Sequence, residues 1–92
     1  MSDSLVQLQT LKGHVVVIDV EAPYVYAGTL ADFDTHHVVL ENADVHDLRD
    51  AATTRELYVL ETRAHGVRAN RKRVLLRQEH LVSISALDDV IP

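Results

Sequence analysis

Apolar residues in this chain change period several times along its length, and each change marks an element. Leu5, Leu8 and Leu11 recur every three residues behind Ser2-Asp3-Ser4, which supplies N-cap chemistry. A short helix follows from this spacing, and Gly13 ends it. Val15, Val16, Val17, Ile18 and Val20 are β-branched and crowd a helix, so they read as a strand closed by Pro23. Tyr24 to Phe33 is again β-prone, and Gly28 in its middle allows a sharp bend or a close neighbour. After His36-His37, Val38-Val39-Leu40 make a third strand that ends in the polar stretch Glu41-Asn42-Ala43-Asp44. Three strands on short links imply an antiparallel meander.

The stretch around Leu57-Tyr58-Val59-Leu60 admits two readings. Thr53 with Glu56 fits a capping box, Leu57, Leu60 and Ala64 fall at helical spacing, and Gly66 suits a C-terminal cap, so a helix over roughly 54–65 is favoured. A strand centred on Leu57-Tyr58-Val59-Leu60 is the alternative. Asn70 opens a basic turn before a fourth strand, Val74-Leu75-Leu76, and Gln78-Glu79 makes a tight break before a fifth, Leu81-Val82-Ser83-Ile84. With no repeat or flexible linker, residues 1–92 read as a single domain ending in a short tail from Asp88. The expected fold is mainly β: a small, five-stranded, bent antiparallel barrel with an N-terminal helix and an extra helix before the fourth strand.

Composition narrows the chemistry. The chain has no cysteine, which removes disulfide frameworks, thiolate metal sites and thiol nucleophiles. The longest aliphatic run, Val15 to Ile18, is far short of a membrane span, and the N-terminus lacks signal-peptide character, so a soluble, cytoplasmic protein is expected. A formal net charge of -5 argues against a uniformly basic nucleic-acid binder. The charge is nevertheless segregated: Asp32, Asp34, Glu41, Asp44, Asp47 and Asp50 crowd one stretch, and Arg63, Arg68, Arg71, Lys72, Arg73 and Arg77 a later one.

Tyr26-Ala27-Gly28-Thr29-Leu30-Ala31-Asp32-Phe33-Asp34 resembles the first motif of the Sm and LSm family, and Leu76-Arg77-Gln78-Glu79-His80-Leu81-Val82-Ser83-Ile84 resembles the second, with Gln78 where the family has Gly. Leu5 to Val20 resembles the family's opening, whereas Val45 to about Asn70 is longer than its usual fourth loop. The resemblance implies an Sm-like barrel that assembles into a homo-oligomeric ring of five to seven subunits, the fourth strand of one copy pairing with the fifth of the next. It also implies non-catalytic binding of single-stranded RNA. By motif position Asp34 orients the loop, His36 stacks on a base and Arg77 completes a clamp. The family's base-reading Asn is absent; its place falls to His37 if the loop is one residue shorter, or to Val38 without a gap. Imidazole and guanidinium planes both stack on unpaired bases.

The basic run Arg68, Arg71, Lys72 and Arg73 offers phosphate contacts, or in a ring could face the acidic stretch of a neighbour. His36, His37 and His46 beside Asp34, Asp44 and Asp47 match no metal-site spacing, so neither metal nor cofactor is expected. Ser83 and Ser85 sit within a strand and form no nucleophile motif. The competing reading, favoured by the missing Asn, Gln78 and the acidic balance, is a structural or protein-interaction ring that has lost RNA binding.

Overall fold

The computed structural model describes residues 2–49 and 53–92, with side chains from Leu5 onward. A helix α1 (Ser2–Leu11) leads into strands β1 (Val15–Val20), β2 (Tyr24–Phe33) and β3 (His37–Asp47). Helix α2 (Arg55–His65) precedes β4 (Arg71–Arg77) and β5 (Leu81–Ala86), and 3-10 turns occupy Gln78–His80 and Leu87–Asp89. The strands form one antiparallel sheet in the order β4-β3-β2-β1-β5. β4 and β5 are therefore opposite edges, yet only Gln78–His80 joins them. Three residues of 3-10 helix advance about 6 Å, so the sheet has to curl until its two edges nearly meet. No hydrogen-bonded ladder joins those edges, and the barrel stays open along that seam.

Local geometry supplies the curl. The β2–β3 register shifts between Ala27 and Thr29 and again between Leu30 and Asp32, and β1–β5 shifts between Asp19 and Val20; each such bulge bends the strand and raises its twist. Gly28 sits at the first of these, where a Cβ would lie 2.9 Å from the Ala43 Cβ and 3.0 Å from its Cα. The close approach, one of the two uses expected of Gly28, is what excludes a side chain there.

Curling leaves the sheet with two covered faces. Val16, Ile18, Val20, Leu30, Val38, Leu40, Ala43 and Leu76 fill the concave side, closed by Leu8 with Leu5 and Leu11 of α1. On the convex side Val17 and Val25 are covered by Tyr58 of α2 and by Leu87. β1 contributes to both, which explains why its sequence lacks polar alternation. The α1 stripe read from the leucines is thus confirmed, while the capping role of Ser2-Asp3-Ser4 lies outside the described side chains. After α1, Gly13 takes φ 88° and its N–H donates to the Leu30 carbonyl at 2.7 Å, tying the helix end to β2.

Residues 55–65 are helix, and Gly66 caps it at φ 87°, donating to the Thr62 carbonyl at 2.8 Å. Three expectations change. Thr54, not Thr53, is the N-cap, its Oγ1 accepting from Leu57 N–H at 3.1 Å. The buried face is Tyr58, Val59 and Thr62 instead of Leu57, Leu60 and Ala64. β3 does not end in the polar stretch Glu41-Asn42-Ala43-Asp44 but continues to Asp47, so Asp44 and His46 lie under α2. The second change follows from the third: Tyr58 stacks on the His46 ring, centroids 4.3 Å apart, and its hydroxyl donates to Asp44 Oδ2 at 2.7 Å. A leucine there would bury that carboxylate oxygen without a donor.

Candidate nucleic-acid interface

The β2–β3 hairpin tip is built around one carboxylate. Asp34 Oδ1 accepts from the backbone N–H groups of His36 and His37, each at 2.7 Å, while the Asp34 N–H donates to the His37 carbonyl at 3.0 Å. These donors favour the ionised form, the His36 N–H most and that of His37 next, and hold the Asp34 carboxyl below its ordinary range. The tip is clamped by Gln78, the first residue of the 3-10 turn after β4. Its backbone N–H donates to the His36 carbonyl at 2.7 Å, and its side-chain amide donates to the Asp34 carbonyl and, at 3.5 Å, towards that of His37. The residue that departs from the Sm motif therefore fixes the loop. Among the described residues Asn42 is the only non-glycine with positive φ, so Gln78 occupies its 3-10 turn without strain.

This arrangement brings the motif residues together. His37 lies opposite Arg77 in the β3–β4 register, and His36 and Arg77 line one open hollow of about 420 Å³ with Thr35, Gln78 and Glu79. The His36 and His37 rings meet edge-on with centroids 6.4 Å apart, and His37 Nδ1 is 3.6 Å from Asp34 Oδ1. Val38 is fully buried, whereas His37 is half-buried opposite Arg77. Arg77 is exposed and paired with Glu79. The exposed His36 imidazole, the Arg77 guanidinium and the Gln78 side-chain amide around one hollow, with the half-buried His37 ring beside His36, offer flat stacking surfaces and edge donors. Thr35 and Gln78 were not legible as site residues; Gln78 showed only as a departure from a motif.

The basic run divides. Val74 and Leu76 face the concave core, so strand alternation sets Arg71, Arg73 and Arg77 on the convex side of β4 and Lys72 on the other. Arg68 lies before β4 and borders a separate hollow with Asp44, Glu61 and His65. The acidic residues are largely engaged within the chain: Asp32 with Lys12 at 3.6 Å, Asp44 with Tyr58 and with Asn70 Nδ2 at 3.0 Å, and Asp47 with Arg49 at 2.9 Å. Asp50 lies outside the described residues. Among those described, Arg63, Arg68, Arg71, Lys72 and Arg73 form no ion pair. No group of three His, Asp or Glu residues among them could hold a metal ion, and none of the described helices is long and apolar enough to cross a membrane.

Comparison with protein-family profiles and with curated proteins finds no match. Among solved structures, the chain is similar to the Pyrococcus abyssii Sm protein in complex with a uridine heptamer, at 18% identity and a TM-score of 0.62, over 89% of this chain and 94% of that one. The fold, five bent antiparallel strands behind an N-terminal helix, is Sm-like.

Proposed function

We propose that this protein forms a homo-oligomeric ring of five to seven subunits that binds single-stranded RNA at the β2–β3 tip, without catalysis, in the cytoplasm. His36 and His37 contact bases, Arg77 clamps them, and Asp34 orders the turn that presents them. Arg68, Arg71, Lys72 and Arg73 contact phosphates. The observation that carries this reading is the convergence of His36 and Arg77 on one hollow, with His37 beside them opposite Arg77 on β3, held by Asp34 and Gln78. The similar Sm protein was solved with a uridine heptamer, which supports the same class of ligand here. Assembly is supported by the two open edges, β4 and β5, whose unpaired backbone groups a closed cycle of copies would satisfy. The unpaired cations favour phosphate contact over pairing with a neighbour's acidic stretch, because those acids are already engaged.

A second reading, a ring that serves only structure or protein contacts, is favoured by the Arg77–Glu79 pair, which occupies the clamp guanidinium. Titration of labelled oligo(U) and oligo(A) against wild type and Arg77→Ala at two salt concentrations separates the two. Saturable binding that weakens in Arg77→Ala and falls with salt is expected. Absence of saturable binding at low salt overturns RNA binding, and binding unchanged in Arg77→Ala moves the site away from the tip. Native mass spectrometry tests the ring, which a strictly monomeric species at micromolar concentration would refute.

A further inference from the structure

The tip hollow carries one group that the RNA reading above leaves without a role, the carboxylate of Glu79. It lines the hollow with Thr35, His36, Arg77 and Gln78, exposed and in contact with the Arg77 guanidinium. Its backbone is fixed before any ligand arrives. The 3-10 turn Gln78–His80 is pinned at both ends, where the Gln78 N–H donates to the His36 carbonyl at 2.7 Å and the His80 carbonyl accepts from the Glu21 N–H at 3.1 Å. Arg77 is held on β4 opposite His37. A hollow of about 420 Å³ falls within the roughly 300–1,000 Å³ of small-ligand sites, and the His36 ring gives a base a plane to stack on.

The chemistry of the paired side chains selects among bases. An ionised carboxylate only accepts, through two oxygens side by side, and a guanidinium only donates. Arg77 and Glu79 touch, so a donor stands beside the acceptors on the hollow. Guanine answers both: N1–H and N2–H are adjacent donors that fit the two carboxylate oxygens, and O6 beside them accepts from a guanidinium. Adenine and cytosine carry a donor on only one atom of that edge, the amino nitrogen. Uracil has the single N3–H between two carbonyl oxygens, which a carboxylate repels. Selection thus comes both from the matched bonds and from the lone pairs set against each other when the base is wrong.

We propose, on the RNA reading above, that the tip selects guanine in single-stranded RNA: Glu79 accepts from N1–H and N2–H, Arg77 donates to O6, and His36 stacks on the ring. The Arg77–Glu79 pair is then part of the site and not an obstruction to it.

Fluorescence anisotropy of the full chain at low salt tests this, with labelled oligo(U) strands of equal length that carry uridine, guanosine, inosine, adenosine or cytidine at the centre. Guanosine should bind about tenfold tighter than uridine or more, the worth of one good bidentate contact. Inosine keeps N1–H and O6 but lacks the N2 amine, and should fall between the two. Glu79→Gln, whose amide oxygen can take only one of the two donors, should erase the preference for guanosine over inosine while oligo(U) binds as well or better. Free 5′-GMP should compete weakly, for want of neighbouring phosphates. Guanosine no tighter than uridine, inosine equal to guanosine, or a preference that survives Glu79→Gln overturns guanine selection and leaves RNA binding at the tip standing. The inosine comparison uses the wild type, so it decides even where Glu79→Gln folds poorly. Competition by 5′-GMP as strong as that of the strand assigns the hollow to a free guanine nucleotide and overturns RNA as the source of the base. Absence of saturable binding by every strand overturns RNA binding itself, and the selection with it.

Discussion

Gly28→Ala perturbs the tightest point of the fold. The added Cβ would meet Ala43 Cβ at 2.9 Å, Ala43 Cα at 3.0 Å and the Glu41 carbonyl oxygen at 3.2 Å. Relaxed carbon–carbon contacts lie at about 3.5–4.0 Å, so something must shift by roughly half an ångström or more. The opposing atoms belong to fully buried Ala43 and to the β3 backbone, which is fixed on both sides by β2 and β4. Overpacking of this kind costs about 1–3 kcal/mol, and the entropy lost from the unfolded chain offsets about 0.4–1 kcal/mol of that. The net expectation is a destabilisation of about 1–2 kcal/mol, or a Tm lowered by roughly 4–16 °C for a domain of this size. Urea and thermal unfolding at one fixed protein concentration measure it, since assembly makes stability concentration-dependent. Ala43→Gly supplies the control: its cost should be smaller in the Gly28→Ala background than alone, with a coupling of at least about 0.5 kcal/mol. Stability unchanged by Gly28→Ala, or strictly additive costs in the double variant, would refute the close approach as the reason for glycine.

Thr54→Ala removes the α2 cap and should lower stability by about 0.5–2 kcal/mol, whereas Thr53→Ala should do nearly nothing; equal effects in denaturant unfolding would reject the assignment of the cap. The Asp34 carboxyl is held below its ordinary range, so its contribution to the tip is present above the unfolded carboxyl pKa and is lost as pH falls through the lower folded value. The His36 and His37 amide protons should therefore stay protected down to about pH 4 and lose protection only below it, and Asp34→Ala, which removes the acceptor, should lose protection at every pH. Burial and the Asp44 carboxylate push the Tyr58 phenol well above its ordinary value. Its stabilising effect is present below pH 10 and is lost on the alkaline side, so wild type should show a late phenolate absorbance step that Tyr58→Phe lacks.

The strands, α1 and the bend at Gly28 were legible because each depends on local pattern: β-branched runs, a leucine at every third position, one glycine inside an apolar strand. The tip was half legible. Asp34, His36, His37 and Arg77 stand at motif positions, but Gln78 looked like a defect because its use depends on carbonyls 41 to 44 residues away. Asn70 was similarly hidden. Its side chain bonds both backbone groups of Val45, N–H to Oδ1 at 3.0 Å and Nδ2 to the carbonyl at 3.2 Å, extending the β3–β4 connection past the end of β4.

What the sequence by itself determined is the order of elements; which residues of β1 fill the concave core it did not, because its apolar residues run on without alternation and Val16, Ile18 and Val20 were chosen over Val15 and Val17 only by the packing. Which side of α2 is buried was settled by tertiary structure alone. Both of its sides carry apolar residues, and the choice fell to Tyr58 because β3 runs on to place Asp44 and His46 beneath the helix, where a phenol can stack and donate and a leucine cannot. The same long-range logic made Gln78 a clamp. Partners brought together by the curl of a sheet leave no periodic trace in the chain.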